Sequence, residues 1–124
     1  MASIGRLVAF LASTDLDRSA AFYSDTVGLP VRERNSFALV LDGGGTELRV
    51  TLVGEKSPAP YTVLGWQVAH LDTAVDELRG RDVRFLRYEG MSQDDHDAWT
   101  TPDGGRVAWF SDPDGNVLSL HEHA

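Results

Sequence analysis

Residues Val107–His123 read VAWFSDPDGNVLSLHEH, and the centre of this stretch decides the fold. Asp112-Pro113-Asp114-Gly115-Asn116 is a turn signal: proline presets one backbone angle, and glycine tolerates the positive φ that a tight hairpin needs. The turn joins two strand-like runs, Val107 to Phe110 and Asn116 to His121. Alternation along the second run puts Val117, Ser119 and His121 on one face, with Leu118 and Leu120 on the other. Adjacent Trp109 and Phe110 must likewise point to opposite faces, so one packs into a core and the other is free to line a site. His123 falls in the terminal tail, where ordering is weakest.

Working back from this hairpin, the chain repeats a plan. Arg6 to Ala12 is an apolar strand, followed by a helical face of Leu16, Ala20, Phe22, Tyr23 and Val27. Asp15 or Asp17 is the N-cap, and Gly28 marks the C-terminal end. Strands are expected at Pro30 to Arg34, Phe37 to Asp42 and Thr46 to Val53, the last two joined by Gly43-Gly44-Gly45. That glycine run is a turn and not a phosphate loop, since neither a Lys-Ser/Thr pair nor a helix pattern follows it. Beyond a polar, proline-containing connection at residues 54–61, the order recurs. A strand spans Val63 to Ala69, a helix Leu71 to Arg79, and strands Val83 to Tyr88, Val107 to Phe110 and Asn116 to His121. The helix starts align when Asp15 is placed over His70. The expectation is an α+β chain of tandem βαβββ modules, about 5–53 and 62–122, forming one domain over residues 1–124. Residues 89–105 break the symmetry as a long loop, and such loops tend to be functional or mobile.

Composition narrows the chemistry. The 124 residues include no cysteine, which removes disulfides, thiolate nucleophiles and thiolate metal sites. A formal net charge of −8 argues against nucleic acid as a partner, because phosphate attraction needs a basic face. No apolar run is long enough to span a bilayer, and Met1 to Phe10 lacks the basic start and apolar block of a leader, so a cytoplasmic location is expected.

The motifs Asp15-Leu16-Asp17-Arg18-Ser19-Ala20-Ala21-Phe22-Tyr23 with Val27-Gly28-Leu29, and Phe110-Ser111-Asp112-Pro113-Asp114-Gly115-Asn116, occur in order within the duplication. Together they resemble the vicinal oxygen chelate superfamily of glyoxalase I, bleomycin-resistance proteins and extradiol dioxygenases. The resemblance covers nearly the whole chain. It implies curled mixed sheets around a cleft, a common tendency to form homodimers, and in the metalloenzymes a divalent ion held by His or Gln in the first strand of a half and Glu in its last. Carried onto this chain, those positions are Val8, Val63 and Ser119, with the fourth near Arg49. Two valines and a neutral hydroxyl cannot replace imidazoles and carboxylates, so no metal and no other cofactor is expected; a displaced divalent metal is the alternative.

The remaining candidates are a polar set, Arg49, Gln67, Ser119 and His121, beside the aromatic side chains Trp99 and Trp109. Apolar walls with a few placed polar groups suit a small-molecule site. Two functions fit. One is a metal-independent binding protein for a small aromatic or cationic molecule. The other is a lyase, isomerase or dioxygenase that uses a displaced metal or His121 as the catalytic acid or base. Asp94-Asp95-His96-Asp97 reads as a solvated acidic loop, because it lacks the spaced ligands of a calcium loop. Ser119 and His121 read as a chance pairing with no nucleophile motif around them.

Overall fold

The computed structural model describes residues 3–124. Met1 and Ala2, the start of the stretch read for a leader, lie outside the described residues. The chain divides into two compact units, up to Pro58 and from Ala59 onward, each built on one mixed four-stranded sheet with helix beside it. The class is α+β.

In the first unit the elements are β1 (Val8–Ser13), α1 (Leu16–Ala20), β2 (Val31–Arg34), β3 (Ala38–Asp42) and β4 (Glu47–Leu52). The sheet order is β1-β4-β3-β2, with β1 parallel to β4 and the other pairs antiparallel. Asp15 caps α1 by accepting from the Arg18 N–H at 3.1 Å. Ser19 then donates to Ser13 at 2.7 Å in a buried contact, which fixes α1 on the Leu11–Ser13 face of the sheet. The cross-strand pairs Leu39–Val50 and Leu41–Leu48 are fully buried on that face. The helix expected to run to Gly28 changes form at Ala21 and continues to Thr26 as a wider π-helical segment. Its Val27 N–H reaches back to the Phe22 carbonyl at 2.9 Å. This widening seats Tyr23 in the core, edge-on to Phe22 at 5.0 Å.

The second unit has β5 (Thr62–Gln67), α2 (Leu71–Arg79), β6 (Trp99–Thr100), β7 (Arg106–Ser111) and β8 (Val117–Glu122), in sheet order β5-β8-β7-β6. Leu71, Val75 and Leu78 recur at helical spacing and are buried. His70 stands at the N-cap of α2 without capping it. Glu122 substitutes from the end of β8, its carboxylate accepting from the Leu71 N–H at 2.6 Å. A second tie comes from β7, where Arg106 pairs with Asp72 at 2.6 Å. Both ties put α2 on the Leu118–Leu120 side of the sheet.

The strand expected at Val83 to Tyr88 does not form. This segment keeps one isolated bridge, Phe85 to Phe110. Its backbone is taken by a side chain instead: Gln93 accepts from the Tyr88 N–H at 2.7 Å and donates to the Leu86 carbonyl at 2.8 Å. The fourth strand comes from within the long loop, at Trp99–Thr100.

The final hairpin is built around one carboxylate. Asp112 accepts from the Asp114 and Asn116 N–H groups, each at 2.9 Å, and from the Asn116 side-chain amide at 2.8 Å. Gly115 sits at φ +87°, as the turn requires. Asp112, Asp114 and Asn116 are all buried. Replacing Asp112 with alanine leaves these donors without their acceptor, so the Asp112→Ala variant is expected to lose about 2–4 kcal/mol of stability in urea unfolding; an unchanged midpoint would show that the turn does not depend on the carboxylate.

Candidate functional site

Strand register determines which side chains meet on the sheet face turned away from α2. In the second unit, Gly65, Ser119 and Trp109 form one cross-strand row. Gln67, His121, Val107 and Trp99 form the next row. Residues two apart on a strand share a face, so both rows lie on the same side. Gln67, Trp99, Trp109, Ser119 and His121 are therefore brought together. Arg49 lies in the first unit, paired with Val40 and Phe10. Register gives it the position in its own sheet that Ser119 occupies in the second, and it sits 3.5 Å from Glu47.

Trp109 is the centre of the aromatic group. Trp99 tilts against it at 6.5 Å between ring centres, and Tyr88 meets it edge-on at 5.4 Å. All three rings are half-buried. Phe110 turns to the other face, fully buried against Trp66 and Phe85.

The polar side of this face is a short chain of hydroxyls and a ring. Ser119 is fully buried, 2.8 Å from His121 Nε2 and 2.9 Å from the Thr62 hydroxyl. The spacing of Ser119 and His121, read from sequence as a chance pairing, is thus a direct hydrogen bond. Thr62 and Gly65 were not read from the sequence. Gly65 is the more telling of the two: a Cβ there would lie 2.7 Å from Ser119 Oγ and 3.1 Å from His121 Nε2. The first unit has Phe10 at the corresponding register position.

The acidic loop that supplies Trp99 exposes Asp94 and Asp95 to solvent, as read from sequence, and is also held by ion pairs. Asp97 binds Arg79 at 2.7 Å and also Arg87, while Asp94 binds Arg106 at 2.7 Å. His96 lies 3.4 Å from Asp72 and 3.2 Å from Asp76 of α2. Three neighbouring arginines meet Asp94 and Asp97, and consecutive acidic residues in a sequence do not reveal such partners. A recess of about 740 Å³ lies among Arg84, Phe85 and the Asp97 ion pairs. A smaller one, about 120 Å³, reaches His121 and His123 at the end of β8.

The metal positions implied by resemblance are filled by Val8, Val63, Ser119 and Arg49, which supply no imidazole or carboxylate. His70 is at the start of α2, and His96 faces Asp72 and Asp76, so neither joins His121. Among the described residues, no three His, Asp or Glu side chains gather where they could hold an ion.

Two mixed sheets in a repeated β1-β4-β3-β2 order, one carrying an aromatic and polar face, define a class that the comparisons identify. The family model of the Glyoxalase/Bleomycin resistance protein/Dioxygenase superfamily matches residues 3–120, and the chain belongs to that superfamily. The curated protein YraH of Bacillus subtilis (strain 168), described as uncharacterized, is 25% identical over 127 residues, covering 90% of this chain and 93% of YraH. A solved superfamily member from Sphaerobacter thermophilus DSM 20745 is 24% identical with a TM-score of 0.75, covering 99% of this chain and 100% of that one. TnmS3, an antibiotic binding protein from Streptomyces sp. CB03234, is also 24% identical, with a TM-score of 0.72 and coverage of 100% and 99%. At these identities the two structures show the fold. No helix among the described residues is long and apolar enough to cross a membrane.

Burial is the largest single influence on Asp97 and acts to raise its carboxyl, but hydrogen bonds and charge from Arg79 and Arg87 outweigh it. The result lies below the ordinary aspartate value of 3.8. Asp94 behaves alike, with burial outweighed by the Ala98 N–H, Arg106 and the His96 N–H. A carboxylate depressed in the folded state contributes stability that is complete above its unfolded value and is lost as pH falls through its folded value. The stability difference between the wild type and Asp97→Asn is therefore expected to hold from neutral pH to about 5 and to shrink in more acidic solution. A difference that shrinks already near neutrality would contradict the ion-paired loop.

Proposed function

We propose that this protein binds a small planar aromatic molecule, cationic in character, on the Trp99–Trp109 face, without a resident metal. One observation carries the reading: strand register puts Trp99 and Trp109 on the same face as Gln67, Ser119 and His121. Indole faces attract flat and cationic ligands, and the neighbouring polar groups orient them. The net charge of −8 favours a cation in solution. The description of TnmS3 as an antibiotic binding protein supports the same direction. In this reading the protein works in the cytoplasm, by sequestering or delivering its ligand, with no nucleic-acid partner. It does so as a homodimer, using exposed apolar residues at the sheet edges such as Phe10 and Val63.

A second reading rests on the Ser119–His121 hydrogen bond. His121 is a candidate proton carrier for a lyase, isomerase or dioxygenase of the superfamily. Under it, His121→Ala abolishes turnover while leaving the fold intact.

The test of the first reading uses the planar aromatic cation proflavine as probe. Proflavine is expected to bind with equal affinity before and after treatment with a chelator. Trp99→Ala and Trp109→Ala are each expected to weaken it about tenfold. Stoichiometric metal that the binding requires, or affinity indifferent to both tryptophans, would overturn the proposal. Sedimentation of the pure protein is expected to give a dimer; a monomer at high concentration would remove that part of it.

A further inference from the structure

One arrangement of protons satisfies all three contacts of the hydroxyl chain behind His121. The Thr62 hydroxyl lies 3.2 Å from the Leu64 carbonyl oxygen and 2.9 Å from Ser119 Oγ. Ser119 Oγ lies 2.8 Å from His121 Nε2. A carbonyl oxygen only accepts, and a hydroxyl carries a single proton. With the Thr62 proton on the Leu64 carbonyl, Thr62 Oγ1 accepts from Ser119. In that arrangement the Ser119 proton is engaged as well, and the contact with the ring is Nε2–H donating to Ser119 Oγ.

The other ring nitrogen is free. The bare backbone of Gly65 faces the Cδ2–Nε2 edge of His121, since a Cβ there would lie 3.1 Å from each of those atoms. Nδ1 is across the ring from Cδ2 and bonds no described residue. No buried side-chain nitrogen or oxygen among the described residues lacks a partner, so Nδ1 reaches solvent. In the neutral ring with Nε2 protonated, Nδ1 carries a lone pair and only accepts. Gln67, which pairs with His121 across the strands, can either donate or accept. The choice of ligand polarity therefore falls to the histidine.

We propose that Thr62 and Ser119 lock His121 as the Nε2–H tautomer, leaving Nδ1 as the fixed acceptor of this face. The aromatic ligand it selects carries a hydrogen-bond donor, a phenol or an N–H heteroaromatic. The ligand class rests on the binding function proposed above; the tautomer does not. Thr62 and Ser119 are positioning residues, acting only through the ring.

Long-range proton–nitrogen NMR on protein with isotope-labelled histidine, in mildly alkaline buffer, reads the tautomer directly. The wild type is expected to show Nε2–H at His121, and Nδ1–H there would overturn the lock. Thr62→Val, at an exposed site away from the ring, frees the Ser119 proton to turn toward Nε2. It is expected to move the population toward Nδ1–H with the rest of the spectrum preserved; an unchanged tautomer would overturn the hydroxyl chain as its cause. Ser119→Ala removes the acceptor itself and is expected to abolish the preference.

The ligand class is tested with β-naphthol and its methyl ether, which share one ring system and differ in the donor. β-Naphthol is expected to bind about threefold to tenfold more tightly, and the preference is expected to vanish in His121→Phe. Equal affinities alongside an Nε2–H tautomer would overturn the selection of donors and leave aromatic binding standing. Failure of both probes to perturb the Trp99 and Trp109 resonances, where proflavine does perturb them, would overturn the ligand class; failure of proflavine as well would overturn the binding function, and neither outcome touches the tautomer.

Discussion

The carboxylate of Asp112 is the constraint on which the candidate site depends. It gathers the Asp114 and Asn116 amides and thereby closes the β7–β8 hairpin at one register. Because side chains alternate along a strand, a slip of one residue would move every side chain of β8 to the opposite face. Ser119 and His121 would then point toward α2, and Leu118 and Leu120 would replace them beside Trp109. The turn that marks the superfamily in sequence is thus also the device that assembles the aromatic and polar rows, although Asp112 touches neither.

A second constraint holds the outer half of the face. Trp99 belongs to a two-residue strand, too short to fix itself by ladder hydrogen bonds. Its position is set by the surrounding network. Asp94 and Asp97 are bound by three arginines, and Gln93 joins the backbone on both sides, taking the Leu86 carbonyl at 2.8 Å and the Asp97 carbonyl at 2.8 Å. Several acidic residues of this chain are thus internal fasteners as well as contributors to its charge. The inner half needs no such network, since Ser119, Trp109 and His121 sit on long central strands.

Much of the fold was legible because it follows from local signals. The helix Leu71–Arg79 has its apolar positions at helical spacing, and Gly80 closes it. The strand expected at Val83 to Tyr88 fails for a reason no window of sequence contains, namely that the Gln93 side chain occupies the backbone groups a neighbouring strand would use. The π-helical widening after Ala20 escapes a periodicity search because it changes the period itself. On the site, alternation put Ser119 and His121 on one face, and the Trp109–Phe110 split followed from the same rule. Gly65 was invisible as a functional position. A glycine in a strand carries no pattern, and its role appears only when the space above it is found to hold the Ser119–His121 contact. Arg49 shows the opposite limit: sequence named it, and register makes it the counterpart of Ser119 in the first unit.

The central claim is that the aromatic and polar rows of the second sheet form a binding face that works without a metal. A crystal structure of the protein grown with proflavine, recorded with anomalous data at metal absorption edges, tests it most directly. The account predicts a flat ring system stacked on Trp99 and Trp109 beside His121 Nδ1, with no anomalous scatterer near Val8, Val63 or Ser119. A ligand seated instead in the arginine-lined recess around Arg84, or a metal ion coordinated at the face, would contradict it.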